Sequence, residues 1–143
     1  MSALTAPTDT AAPVVAGVKV LVIDDSNTIR RSAEIFLAQG GHQVMLAEDG
    51  FDALSKVNDH APELIFCDIL MPRLDGYQTC AIIKRNPRFA HVPVIMLSSK
   101  DGLFDKARGR MVGSEDYLTK PFTKEQLLRA VLRFRPARGD ATI

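Results

Sequence analysis

The chain has 143 residues, 18 Lys or Arg against 17 Asp or Glu, and a formal charge of +1. That length suits one domain with a sizeable core, and the even charge balance with no basic run gives no footprint for nucleic acid. No apolar stretch reaches the ~18 residues of a membrane span, and no basic residue before Lys19 starts a signal peptide, so a cytoplasmic chain without membrane insertion is expected. Residues 1–17, rich in Ala, Thr and Pro and without periodicity, read as a flexible tail. From Val18 the chain alternates short apolar runs with helical patterns. The first run, Val18 to Ile23, is followed by Asp24-Asp25. Ile29, Ala33, Phe36 and Leu37 share one helical face, and Gly40-Gly41 stops that helix. A second strand is expected over 42–47. A helix over 50–60 carries Phe51, Ala53, Leu54 and Val57, with Pro62 beyond its end. The third strand, Leu64 to Cys67, ends at Asp68. The loop from Leu70 through Met71-Pro72 to Asp75-Gly76 leads into a helix with Tyr77, Cys80, Ala81 and Ile83 or Lys84, closed by Pro87. Val94 to Leu97 form the fourth strand, followed by Ser98. A helix over 102–112 carries Leu103, Phe104, Ala107 and Met111 and is capped by Gly113. The fifth strand, 116–119, precedes Lys120-Pro121, an X-Pro bond in a tight turn that a cis geometry would suit. Thr123 opens a capping box with Gln126, and Leu127, Leu128, Val131 and Leu132 form the last inner face. Residues 135–143 read as a second loose tail, leaving 18–134 as the single domain.

Five strands alternating with five helices give an α/β sandwich around a parallel sheet. The flavodoxin-like (βα)5 arrangement, strand order 2-1-3-4-5, sets strands 1 and 3 side by side, and ligands of such sheets sit beyond the carboxyl ends of the strands. Asp24, Asp25 and Asp68 then share one rim with Ser98 and Lys120. Taken singly, each has a plainer reading: a helix cap for Asp24-Asp25 and Ser98, a turn residue for Asp68, a solvated charge for Lys120. Their joint position at successive strand ends selects the site. Clustered carboxylates repel, and a divalent cation resolves the conflict; Mg²⁺ suits oxygen ligands and shares phosphate oxygens. Asp25 and Asp68 are candidate direct ligands, with Asp24 acting directly or through water. Asp68, alone at its strand end, is the candidate nucleophile, since aspartate forms acyl-phosphate intermediates. Ser98 can donate to a phosphoryl oxygen, and Lys120 can pair with the same group. Cys67 and Cys80 form no Cys-x-x-Cys pair and read as reduced, buried thiols. His42, His60 and His91 are scattered and read as surface histidines. No Gly-x-Gly-x-x-Gly follows a strand, which disfavours dinucleotide binding.

Val22-Ile23-Asp24-Asp25-Ser26, the Asp68 to Gly76 loop with Met71-Pro72, Ser98, and Lys120-Pro121-Phe122 together resemble the receiver domain of two-component response regulators. The resemblance implies that Asp68 accepts phosphate from a phosphohistidine, and that Asp24 and Asp25 serve Mg²⁺ with the Leu70 backbone carbonyl. It further implies that Ser98 and Lys120 read the phosphate and that Tyr117 is the aromatic switch residue beside Ser98. The partners implied are a histidine kinase or phosphotransfer domain and a motility effector protein. Such a protein is no enzyme beyond its own phosphoryl transfer and autodephosphorylation. Asp75 to Cys80 and Ser98 to Lys106 resemble the twitching-motility regulators of type IV pilus systems. Leu70, two places after Asp68, is an apolar departure from many receivers and bears on phosphate lifetime. The alternatives are a flagellar-motor regulator on the same fold, a Mg²⁺-dependent aspartyl phosphatase, and a degenerate receiver used as a scaffold. The phosphatase would need Asp-x-Asp after the first strand and usually a cap domain; the chain has Asp-Asp and no length to spare.

Overall fold

In the computed structural model, residues 17–99 and 105–136 are described. Five strands, β1 (Lys19–Ile23), β2 (Gln43–Ala47), β3 (Leu64–Asp68), β4 (Val94–Ser99) and β5 (Asp116–Lys120), alternate with five helices. The helices are α1 (Asn27–Gln39), α2 (Gly50–His60), α3 (Gly76–Arg85), α4 (Lys106–Val112) and α5 (Lys124–Phe134). Every strand pairing is parallel, and the order across the sheet is β2-β1-β3-β4-β5. The expected 2-1-3-4-5 sandwich is therefore the observed one.

Side chains along a strand alternate between faces, so each apolar run feeds two cores. Leu21, Ile23, Ile65, Cys67, Val94 and Met96 point to one side and meet Ala53 and Val57 of α2 and Tyr77, Cys80 and Ile83 of α3. Val20, Val22, Leu64, Phe66, Ile95 and Leu97 point to the other and meet Ala33 and Leu37 of α1 and Leu127, Ala130 and Val131 of α5. Burial on both faces is why β1, β3 and β4 read as continuous apolar runs, while edge strands β2 and β5 are half-buried.

Local signals fix the helix ends. Ser26 caps α1, Asp49 caps α2 and Asp105 caps α4, each side chain accepting a backbone N–H in the first turn. Asp75 with Gln78 and Thr123 with Gln126 form capping boxes at α3 and α5, the second as expected. Gly41 (φ +86°) follows α1, and Gly113 (φ +93°) ends α4 in the left-handed region that glycine tolerates.

Several expectations need correction. Leu132, expected on the inner face of the last helix, is 54% exposed, and the apolar Phe51 and Met111 are exposed at 53% and 85%. Each lies off the stripe that its helix buries: Ala53 and Val57 in α2, Gly109 in α4, and Leu127, Ala130 and Val131 in α5. Ala107 is exposed for the same reason as Met111. The helix expected from Gly102 begins at Lys106, because Asp105 is in extended backbone as its cap. Leu103 and Phe104, like residues 1–16 and 137–143 of the two expected tails, lie outside the described residues. The second strand starts at Gln43, one residue late, and the fifth extends through Lys120. His42 is half-buried: its Nδ1 accepts the Val18 N–H at 3.1 Å, and burial lowers its pKa. His60 and His91 are exposed, and Cys67 and Cys80 are free and buried.

Candidate functional site

Strand register brings the polar residues together. Ile23 of β1 pairs with Cys67 of β3, so Asp24 and Asp68 stand side by side one step on. Asp68 pairs with Leu97, which puts Ser98 next along β4, and Ser98 and Ser99 pair with Thr119 and Lys120. All these residues therefore reach the carboxyl rim of the sheet, beside the start of the β3–α3 loop. Asp25, Asp68, Ile69, Leu70, Ser98, Ser99 and Lys120 line a pocket there of about 200 Å³.

One carboxylate oxygen from each of Asp24, Asp25 and Asp68 lies within 4.8 Å of the others. Asp24 and Asp68 are buried and Asp25 is exposed. The Lys120 ammonium bridges the buried pair, donating to Asp24 Oδ2 at 2.9 Å and to Asp68 Oδ1 at 3.0 Å. Its peptide bond to Pro121 is cis. The remaining Asp24 oxygen, Oδ1, accepts the Ser26 N–H at 2.9 Å, and Arg30 Nη1 donates to the Asp24 carbonyl at 2.7 Å. Each Asp24 carboxylate oxygen thus has one protein donor and keeps a further lone pair. Asp68 keeps Oδ2 outside these bonds, its Oδ1 also facing the Leu70 N–H at 3.4 Å. Burial, then the Asp24 charge, pushes the Asp68 carboxyl up to about 6, against the pull of Lys120. Burial alone would lower the Lys120 pKa, but its hydrogen bonds to Asp24 and Asp68 outweigh that and raise it. Three hard oxygen donors at this spacing match the ligand chemistry of Mg²⁺.

A family model described as "Response regulator receiver domain" matches residues 20–132. The chain belongs to this family. Its receiver domain is 64% identical over 121 residues to Protein PilG of Pseudomonas aeruginosa, covering 85% of this chain and 90% of PilG. It is 36% identical over 118 residues to the alkaline phosphatase synthesis transcriptional regulatory protein PhoP of Bacillus subtilis, covering 80% of this chain and 48% of PhoP. The receiver thus spans about half the length of that relative. The solved structure of chemotaxis protein CheY4 of Vibrio cholerae superposes with a TM-score of 0.79 at 32% identity, covering 83% of this chain and 99% of that one.

In the receiver, Asp24, Asp25, Asp68, Leu70, Ser98 and Lys120 converge as the sequence led us to expect. The Ser98 hydroxyl donates to the Ser99 carbonyl at 3.3 Å. Tyr117 stands apart from the pocket, half-buried on β5, with the Lys106 ammonium 5.7 Å from its ring centre. The Leu70 side chain is 67% exposed at the pocket mouth. Sequence reasoning missed Ser99 as a lining residue, and missed Arg30, whose place one turn past Ser26 was the available signal. It also missed the joint between α3 and α4. There Tyr77 Oη accepts the Asp105 N–H at 2.9 Å, and the Arg108 guanidinium lies 4.3 Å from the Tyr77 ring centre and 3.8 Å from Asp75. No local pattern marks a contact between residues 28 positions apart.

Proposed function

We propose that this receiver is a phosphoacceptor switch in which Asp68 takes a phosphoryl group from a phosphohistidine of a kinase or phosphotransfer domain. The observation that supports it most is the convergence of Asp24, Asp25, Asp68, Ser98 and Lys120 at one pocket. Asp68 Oδ2 forms the bond to phosphorus as the donor P–N bond breaks. The imidazole leaves with the electron pair and takes up a proton. Asp24 and Asp25, with Asp68 itself and the Leu70 carbonyl, would hold Mg²⁺, which supplies charge neutralisation for the phosphoryl oxygens. The Lys120 ammonium, already 3.0 Å from Asp68, pairs with a phosphoryl oxygen of the product. The Ser98 hydroxyl turns from the Ser99 carbonyl to donate to another, and Tyr117 one strand over responds. That new contact exists in only one state, which is what shifts a two-state equilibrium.

Similarity to PilG over 90% of that protein supports a role in type IV pilus twitching motility, in the cytoplasm, with output through contact with a pilus or motility effector. Among the described residues no helix is long and apolar enough to cross a membrane. Incubation with a phosphohistidine donor or a small phosphodonor is expected to label the wild type only with a divalent cation, and Asp68→Asn not at all. Equal labelling of Asp68→Asn would sink the assignment. A deletion strain that twitches normally but swims abnormally would move the protein to the flagellar motor.

A further inference from the structure

We propose that Arg73 is a positioning residue, a latch that ties the β3–α3 loop to α2 and so holds Leu70 beside Asp68. The inference rests on the reading of this loop as one wall of a Mg²⁺ and phosphoryl site. Residues 69–75 make a closed loop, because the Gly76 N–H donates back to the Ile69 carbonyl at 2.8 Å. Its tip is a tight turn around Arg73, with the Leu74 N–H 2.7 Å from the Pro72 carbonyl. Arg73 has φ +70°, in the left-handed region that a side chain with a Cβ disfavours. Such a conformation persists where surroundings over-determine it.

The surroundings here are two contacts to the first turn of α2. Arg73 Nη2 lies 3.0 Å from Asp49 Oδ2, and its guanidinium lies 5.3 Å from the centre of the Phe51 ring. Asp49 is a fixed partner, because its other oxygen caps α2 by accepting the Asp52 N–H at 2.7 Å. Phe51 is half-exposed and outside both core clusters, and the Arg73 cation lies over its ring. A lysine could match the charge but not the forked guanidinium that meets both Asp49 and the Phe51 ring. The loop also rests on α2 through Leu74: a methyl group on Gly50 would come within 2.7 Å of Leu74 Cδ2. With its tip latched and its base closed, the loop has little freedom. Its Leu70 N–H then stays 3.4 Å from Asp68 Oδ1, and the Leu70 carbonyl keeps one direction.

The test uses the full chain as wild type, Arg73→Ala and Arg73→Gly. Mg²⁺ alone is titrated by calorimetry, and ¹⁵N relaxation of the Leu70, Arg73 and Leu74 amides is recorded without metal. Arg73→Ala is expected to weaken Mg²⁺ about 10-fold, the lower end of what partners outside the ligand sphere contribute. It is expected to raise fast motion at all three amides while melting within a few degrees of wild type. Arg73→Gly separates strain from latch: glycine accepts the positive φ freely but makes neither contact, so it is expected to lose as much as alanine. Wild-type affinity and relaxation in Arg73→Gly would overturn the latch and leave backbone strain as the cause of any alanine effect. Unchanged affinity and relaxation in both variants would overturn the proposal outright. A wild type that binds no Mg²⁺ would defeat the metal reading instead, and the relaxation data would still decide whether Arg73 holds the loop.

Discussion

Asp68→Asn removes a charge that its buried surroundings work against. Asp68 is 3% exposed, and burial with the neighbouring Asp24 raises its carboxyl from the ordinary 3.8 to about 6. The folded state then binds the proton more tightly than the unfolded chain does. The sign follows: this group's contribution to stability is full below 3.8 and is lost as pH rises through about 6. At ~1.4 kcal/mol per tenfold change, the loss by pH 8 is about 3 kcal/mol. Lys120 already softens that figure, since its attraction acts within the raised value. Asparagine keeps the shape and has no charge to lose, and Lys120 retains Asp24 as a partner. Urea unfolding of both proteins in a chelator, from pH 4 to pH 8, isolates the Asp68 cluster, because titrations that do not interact with Asp68 cancel in the difference. The two should be equally stable near pH 4, and the variant more stable by about 3 kcal/mol at pH 8. Saturating Mg²⁺ should shrink or reverse that gap. A gap that does not change with pH, or a variant less stable at pH 8, would refute the electrostatic reasoning.

Gly76→Ala should damage the same site by sterics. Its Cβ would stand 2.2 Å from the Asp68 carbonyl oxygen and 2.7 Å from Ile69 Cα, both backbone. About 1–3 kcal/mol of stability is expected to go by urea unfolding, with weakened Mg²⁺ binding. Gly41→Ala, with nothing within 4 Å of the new methyl and φ +86°, should cost only its left-handed backbone, about 1–2 kcal/mol, and leave Mg²⁺ titrations unaltered. Tyr77→Phe keeps the ring under Arg108 but removes the acceptor of the Asp105 N–H. Hydrogen exchange over Lys106–Val112 should quicken by an amount matching about 0.5–1.5 kcal/mol, and an unchanged pattern would show that the hydroxyl does not anchor α4. Leu127→Ala should cost about 2–5 kcal/mol and Leu132→Ala less than about 0.5 kcal/mol by thermal melting, since one side chain is fully buried and the other 54% exposed.

What could be read from the sequence was what is encoded locally or by period. The runs of β1, β3 and β4 are apolar on both faces, so they announce buried parallel strands without alternation. Gly50–His60 emerged with its boundaries intact because Pro62 and the Ala53–Val57 stripe bracket it. The site was legible because each of Asp24, Asp68, Ser98 and Lys120 directly follows or ends an apolar run, and parallel register turns that shared position into proximity. Leu132 misled because hydrophobicity gives a residue's preference, while the angle around the helix decides its neighbours. The Asp49–Arg73 pair and the Tyr77–Asp105 bond were illegible for another reason. Each ties a helix cap to a residue of another element 24 or 28 positions away, where no period links cause to contact.

The ammonium of Lys120 already occupies the space between Asp24 and Asp68, and so acts as a tethered cation resident in the site. Any ion from solution must compete with a charge that cannot diffuse away. Sodium or potassium brings one positive charge, no more than the lysine supplies, and has to give up water to enter. A divalent ion brings twice the charge and would have the exposed Asp25 to bind as well as the buried pair. Discrimination against monovalent ions would therefore begin with the valence of the competitor, before ionic radius or coordination number has any part in it.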